Sequence, residues 1–443
     1  MGPTDALARF VAELRYDDLL SDVVDAAKIA IADGVSVMMA GSAQPLAAIV
    51  GDYARDLGGA ERCTVAGRDF KTNAPAASFA NGVFGHCLDF EIQGRPPTHG
   101  TSSGLPTALA LAEEAGASGR TIIESYVVGW EVQARIRSAT APVTNPAYHP
   151  PGLVGPLGAA AAGSRVLGLD AQHTSTALGI AASRTGGLTA NTGTMVKSTH
   201  PGNAARMGAE AAMLAKAGFT ASADVLETRH GFGDALFGGD VDWASIFDGL
   251  GERFRLVDPG FDIKRFPAQI HMQRPIESVL NLRQSHELRA DVVESLTVHM
   301  RGEGHSGAVP KSGLDGKFSV EYCAAAALLD GHVGIDTFTD ERRFASDMEA
   351  LLPRVRVVSE PDLAGAEAVA MLKNGDTVSG RCIEFLGSIG NPMNPDDRKA
   401  KFMHCAEIVL DGEAAERLFD TLGHLEDVDD VSDLMAQLVV NAQ

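Results

Sequence analysis

Within sixteen positions, "GHCLDFEIQGRPPTHG" (residues 85–100) gathers His86, Asp89, Glu91 and His99, while its flanks are mostly Ala, Gly and aliphatic residues. Such groups act as general acids or bases once burial or neighbours move their pKa toward neutrality. A solvated polar loop would use the same residue types. Imidazoles and carboxylates also bind metals, but neither H-E-x-x-H nor the spacing of a two-histidine, one-carboxylate iron site occurs, so no metal is expected.

Two further constellations carry comparable chemistry. In "AYHPPGLVGPLGAAAAG", His149 precedes a Pro-Pro turn and a glycine-rich helix entrance, where free N–H groups and the helix dipole favour anions. In "GTMVKSTHPGNAARMGAEAAMLAKAGF", Lys197 and His200 lie three residues apart in what reads as a polar turn before an Ala-rich helix. An ammonium, an imidazole and open backbone donors can surround a carboxylate, or stabilise charge that grows beside one. "GTSSG", with Ser102 at its centre, matches the nucleophile-elbow pattern G-x-S-x-G. No apolar strand precedes it, so helix-capping serines are the expectation.

Composition narrows the class of function. The formal net charge is −21 and no Lys/Arg-rich run occurs, which removes the cationic stripe that nucleic acid requires. An anionic substrate would therefore need a locally cationic pocket. The five cysteines, Cys63, Cys87, Cys323, Cys382 and Cys405, are scattered without a C-x-x-C pair and read as buried thiols in a reducing compartment. An acidic N-terminal stretch without an apolar h-region, and the lack of any long apolar run, predict a cytoplasmic protein without a membrane span.

The elements that must position these groups are mostly helical. Leu20, Val23, Val24, Ala27 and Ile31 form an amphipathic stripe. Ala-rich segments separated by Gly-bearing turns follow, so residues 1–262 read as a helical domain. After "DIKRFP" the pattern changes: "ESLTVHMRG" alternates, "RVRVV" is strand-like, and "AVAMLKNGDTVSGRCIEF" is a hairpin around Asn374-Gly375. "GKFSVEYCAAAALLDG" between them is helical. Residues 263–395 thus form a smaller, lid-like α+β domain, and 396–443 return to the first domain with helices. The fold class is mostly α with an inserted α+β unit, and the groove between the two is the natural site.

Taken in order, these segments resemble the MmgE/PrpD family, which includes 2-methylcitrate dehydratase, cis-aconitate decarboxylase and iminodisuccinate epimerase. "NGVFGHCLDFE…HG", "HPPGLVGPLGAAAA", "KSTHPGNAARMG", "KFSVEYCAAAALLDG" and "NPMNPDDRKAKFMHCA" carry the resemblance, nearly from end to end. It implies a homodimer, an interdomain cleft and no cofactor. It also implies a site of Asp89, His99, His149 and Lys197, with His200 and the 264–273 loop nearby. Glu91-Ile92 stands where the family has paired acids and His99-Gly100 where it has His-Pro. Gln269 and Gln273 occupy its usual histidine positions, with His271 between them.

The expected activity is that of a cofactor-independent lyase, dehydrating or decarboxylating a small di- or tricarboxylic acid. Lys197 and His149 would bind carboxylate and stabilise charge, and His99 with Asp89 would transfer the proton, unless Asp89 orients His99 instead. Glu91, His200, Gln269, His271 and Gln273 would contact substrate. Competing expectations are an epimerase of a dicarboxylic acid, a carboxylate-binding protein without catalysis, and, last, a serine hydrolase through Ser102.

Overall fold

A computed structural model describes residues 1–141, 147–302 and 309–440, so short stretches of the expected domain spans, including 441–443, lie outside the described residues. Helices α1 (Ser21–Ser42), α2 (Ala74–His86), α3 (Gly100–Ala115), α4 (Gly119–Ala139), α5 (Gly155–Val166) and α6 (Val196–Lys216) build the first lobe. Val23, Val24, Ala27 and Ile31 of the predicted stripe are buried, whereas Leu20 is exposed and lies one residue ahead of α1.

Small residues let these helices approach closely. At the crossing of α2 with α6, a Cβ on Gly82 would stand 2.9 Å from the Gly202 Cα, and one on Gly202 would stand 2.8 Å from the Phe79 carbonyl oxygen. Neither position admits a larger residue without separating the helices. The start of α6 also differs from expectation: it begins at Val196 and includes Lys197, His200 and Pro201. The His-Pro-Gly sequence imitates a turn, but close packing of Gly202 on α2 keeps the segment helical, a case of tertiary contact outweighing local propensity.

The second lobe has its own apolar centre, drawn from residues between Phe266 and Ala370. Helix α7 (Gln273–Ser285) leads to strand β1 (Val293–Met300), helix α8 (Val320–Asp330), then β2 (Val355–Ser359), β3 (Ala366–Leu372) and β4 (Thr377–Cys382). The sheet order is β2-β1-β3-β4. β2 runs parallel to β1, pairing Val355 with Leu296, and β3 is antiparallel to it, pairing Ala370 with Leu296. The parallel pair needs a long crossover, which contains α8. The hairpin β3–β4 turns at Gly375 with φ 91°, the left-handed conformation that glycine supplies cheaply. Leu296, Val298 and Met300 are buried, as their alternation predicts.

Helices α9 (Pro395–Ala406) and α10 (Gly412–Gly423) return to the first lobe, where Phe402, Ala406, Leu418 and Leu422 join its core. Helix α9 begins at Pro395, directly after Asn394. Asn394 and Asp397 form a reciprocal capping box at its start. The five cysteines are free and buried. Among the described residues, no helix is long and apolar enough to cross a membrane.

Candidate active site

Helix α2 delivers His86 at its last turn, and the chain then turns sharply through Asp89, whose φ is 53°. Aspartate is among the few non-glycine residues that adopt this left-handed conformation readily. Here the turn is gripped from outside. Lys264 Nζ donates to the Asp89 carbonyl and to its Oδ1, each at 2.8 Å. Lys317 Nζ donates to the Cys87 carbonyl at 3.0 Å, and Lys401 Nζ to the Phe90 carbonyl at 2.8 Å. Lys401 also pairs with Asp33 at 2.6 Å, and Asp33 accepts from the Ile92 amide at 3.1 Å. Lysines from three separate stretches of chain thus fix one short loop.

Lys197, in the first turn of α6, donates to Asp89 Oδ2 and, at 2.9 Å, to His86 Nε2. Because His86 accepts at Nε2, its proton lies on Nδ1, which donates to Glu91 Oε1. His99 Nδ1 reaches the same oxygen at 2.9 Å, and Ser102 Oγ donates to it at 3.2 Å. A continuous hydrogen-bonded chain therefore runs from Lys264 through Asp89, Lys197, His86 and Glu91 to His99. His149, the residue before a short helix at Pro150–Leu153, meets His200 through their Nδ1 atoms at 3.1 Å. The His149 ring centroid lies 5.5 Å from that of His86, 5.9 Å from that of His99 and 5.3 Å from that of His200.

Burial and charge set the protonation states. Burial alone would push Asp89 up, but Lys197 and Lys264 outweigh it and hold the carboxyl well below its ordinary range. Glu91 is likewise held down against burial by His86, Lys264 and the imidazole hydrogen bonds. Burial, with Lys197 adding repulsion, lowers His86 to about 4 despite Glu91. Burial and then Lys197 lower His200 to about 4, and the same two causes depress His149. The result is two ionised carboxylates beside the neutral imidazoles of His86, His149 and His200.

Tertiary structure also assembles two imidazoles and a carboxylate that chain spacing does not announce: one ligand atom each from His86, Glu91 and His99 lies within 4.8 Å of the others. Both Nδ1 atoms are bonded to Glu91 itself, and the Lys197 ammonium stands against His86. A metal ion would have to displace those bonds and sit in a cationic field. The donor set fits a hydrogen-bonded relay better than a metal centre.

The structure brings Asp89, Glu91, His99, His149, Lys197 and His200 together, but with altered partners. The carboxylate beside His99 is Glu91, while Asp89 lies between two lysines. Gln273 is fully buried and binds the Arg265 and Phe266 amides and the Phe266 and Ala268 carbonyls, so its side chain holds the 265–268 loop instead of facing substrate. His271 is exposed and lines a separate surface cavity with Arg274 and Arg301. Gln269 is partly exposed, and its amide donates to the Lys317 carbonyl at 3.2 Å. Ser102 and Ser103 lie inside α3, whose cap residue is His99, so neither serine caps it; Ser103 Oγ instead donates to the His99 carbonyl at 2.9 Å. Sequence reasoning missed Lys317 and gave Lys264 no role. Lys317 opens the "KFSVEYCAAAALLDG" motif and Lys264 opens the 264–273 loop, but only the fold puts them beside residues 87–89.

Comparison with known proteins gives a concordant result. A cis-aconitate decarboxylase of Homo sapiens is 29% identical over 455 aligned residues, covering 98% of this chain and 94% of the relative. That of Mus musculus is 29% identical, covering 97% and 92%. One from Aspergillus terreus is 29% identical, covering 76% and 74%. The family model for the MmgE/PrpD N-terminal domain matches residues 5–244, and that for the C-terminal domain matches residues 266–426. With both models matched in order and the cluster assembled from the motif residues, the chain belongs to the MmgE/PrpD family.

Proposed function

We propose that this protein is a lyase that decarboxylates an unsaturated tricarboxylic acid of the cis-aconitate type, without a cofactor. The observation that carries this reading is the Lys197 ammonium, fixed between Asp89 and His86, with the His99 and His149 rings packed against His86. Similarity to decarboxylases along almost the whole chain supports it.

The chemistry follows from the substrate's own electrons. The bond from the methylene carbon to its carboxylate breaks and carbon dioxide leaves. The bonding pair forms a new carbon–carbon double bond, and the original double-bond pair moves to the carbon bearing the distal carboxylate. One proton added there gives methylenesuccinate. Because the double bond and carboxylate accept the charge, no external electron sink is required.

Lys197 faces the carboxylate on which charge accumulates, where a fixed cation in a water-poor site is most effective. His149, neutral and tied through Nδ1 to His200, donates a hydrogen bond to a substrate carboxylate. His99, donating its Nδ1–H to Glu91, takes a second proton on Nε2 and passes it to the carbon, with the Glu91 carboxylate balancing the transient charge. Asp89 holds Lys197 and takes no part in proton transfer.

Proton NMR of purified protein mixed with cis-aconitate, 2-methylcitrate and imino- and hydroxy-polycarboxylates tests the reading. Methylenesuccinate and one equivalent of carbon dioxide are expected from cis-aconitate. A new alkene without carbon dioxide would make the protein a dehydratase. Deuterium entering recovered acid with neither product would make it an epimerase, and ligand stabilisation without conversion would leave only binding.

A further inference from the structure

We propose that the Lys317-Phe318 turn of the second lobe is the positioning element of the active site, tying down the end of α2 and roofing the Lys197 ammonium. The inference rests on the assignment of Lys197 above. It adds two residues that touch neither reacting atoms nor proton path.

The turn follows a short helix, Gly313–Gly316, and is held on both sides. Lys317 and Phe318 amides donate back to Leu314 and Asp315 at 3.3 and 3.1 Å, and the Lys317 carbonyl accepts from Gln269 at 3.2 Å. Its two side chains then reach into the first lobe. Lys317, 3% exposed, donates to the carbonyl of Cys87, the cap residue of α2. The Phe318 ring, itself buried, has its centroid 5.1 Å from Lys197 Nζ.

Lys317 differs from the other lysines around the loop. Lys197 and Lys264 pair with Asp89 and Lys401 with Asp33, whereas Lys317 makes no ion pair among the described residues. Its partners are a helix-terminal carbonyl and the Phe338 ring, 5.6 Å away. A buried ammonium without a carboxylate is costly. The negative end of the α2 dipole offers it compensation only while the lobes are docked. That arrangement makes docking and the placement of His86, Asp89 and Lys197 a single event. The aromatic face over Lys197 meanwhile excludes water from the cation and stabilises it.

The test measures two quantities in Lys317→Met and Phe318→Leu: steady-state constants with whichever acid the wild type converts, and the rate at which an amine-labelling reagent modifies Lys197, followed by peptide mass spectrometry. For Lys317→Met, kcat should fall on the order of a hundredfold, the scale for a misplacement of about 1 Å. KM should stay within about threefold, since ground-state contacts are kept. Labelling of Lys197 should rise severalfold while surface lysines label as before. Phe318→Leu should show the same pattern more weakly, and it serves alone if Lys317→Met does not fold. Unchanged labelling in a folded variant overturns the proposal, as does a loss confined to KM, which would place Lys317 on substrate. If the wild type converts none of the acids yet labelling responds, the positioning role stands and the decarboxylase reading falls.

Discussion

Two buried charged clusters in the first lobe use similar residue types to opposite ends. On α4, Arg135 is fully buried and donates to Glu131 Oε2 at 3.1 Å and to the carbonyls of Ile246, Asp248, Gly249 and Arg253 at 2.7–3.1 Å. Every N–H of the guanidinium is engaged. Glu131 Oε1 takes the Leu256 amide at 3.2 Å. In the site cluster, by contrast, Glu91 Oε2 is buried without a hydrogen-bond partner among the described residues. His99 and His149 commit Nδ1 to the protein and keep Nε2 outside those bonds. A saturated cluster clamps a loop to a helix; an unsaturated one retains valences for a ligand. Burial and charge alone do not distinguish these two clusters; the hydrogen bonds each leaves unmade do.

The largest test of this contrast is Lys197→Met. It should fold normally and lose on the order of a thousandfold in turnover, since a fixed charge facing the transition state is worth that much. Retention of most activity would remove the lysine from the chemistry. Arg135→Met should do the reverse. Stranding Glu131 should lower unfolding free energy by about 3–5 kcal/mol in urea titrations, while turnover per folded molecule stays unchanged. Loss of turnover without loss of stability would dissolve the distinction between the clusters.

Glu91→Gln should be intermediate. A neutral amide cannot anchor two imidazole N–H groups as the carboxylate does, so turnover should fall roughly a hundredfold and the His86 and His99 ring signals should shift in NMR. Acid stability gives the smallest effect. His86 and His200 are depressed to about 4, mainly by burial, whereas unfolded histidine titrates near pH 6.5. The unfolded chain therefore binds protons first as pH falls. Their contribution is whole above about pH 6.5 and is lost toward pH 4. Asp89 and Glu91, held low, add a further loss below about pH 4. His200→Gln should flatten the upper part of that slope in urea midpoints measured against pH; an unchanged slope would exclude His200.

Much of this was legible along the chain. Apolar periodicity located α1, alternation located β1, and Asn374-Gly375 located the β3–β4 hairpin, because each signal is local and repeats with its element. Motif order gathered Asp89, Glu91, His99, His149, Lys197 and His200. The start of α6 is not legible, because His-Pro-Gly carries a turn signal that packing overrides. The sequence points Gln273 at substrate because a polar side chain in a loop looks the same whether it faces a ligand or its own backbone. Lys264 and Lys317 were invisible as partners of residues 87–89, since 230 positions separate Lys317 from Cys87.

The sequence by itself determined which segments are helix or strand, which groups can ionise, and that they recur in an order belonging to one family. Tertiary structure alone decided which carboxylate serves which histidine, which lysines grip the Asp89 turn, and which valences stay open. Periodicity is written in neighbouring residues. Pairing and electrostatic state depend instead on distances across the fold, which small-residue helix crossings such as Gly82 on Gly202 set to within an ångström.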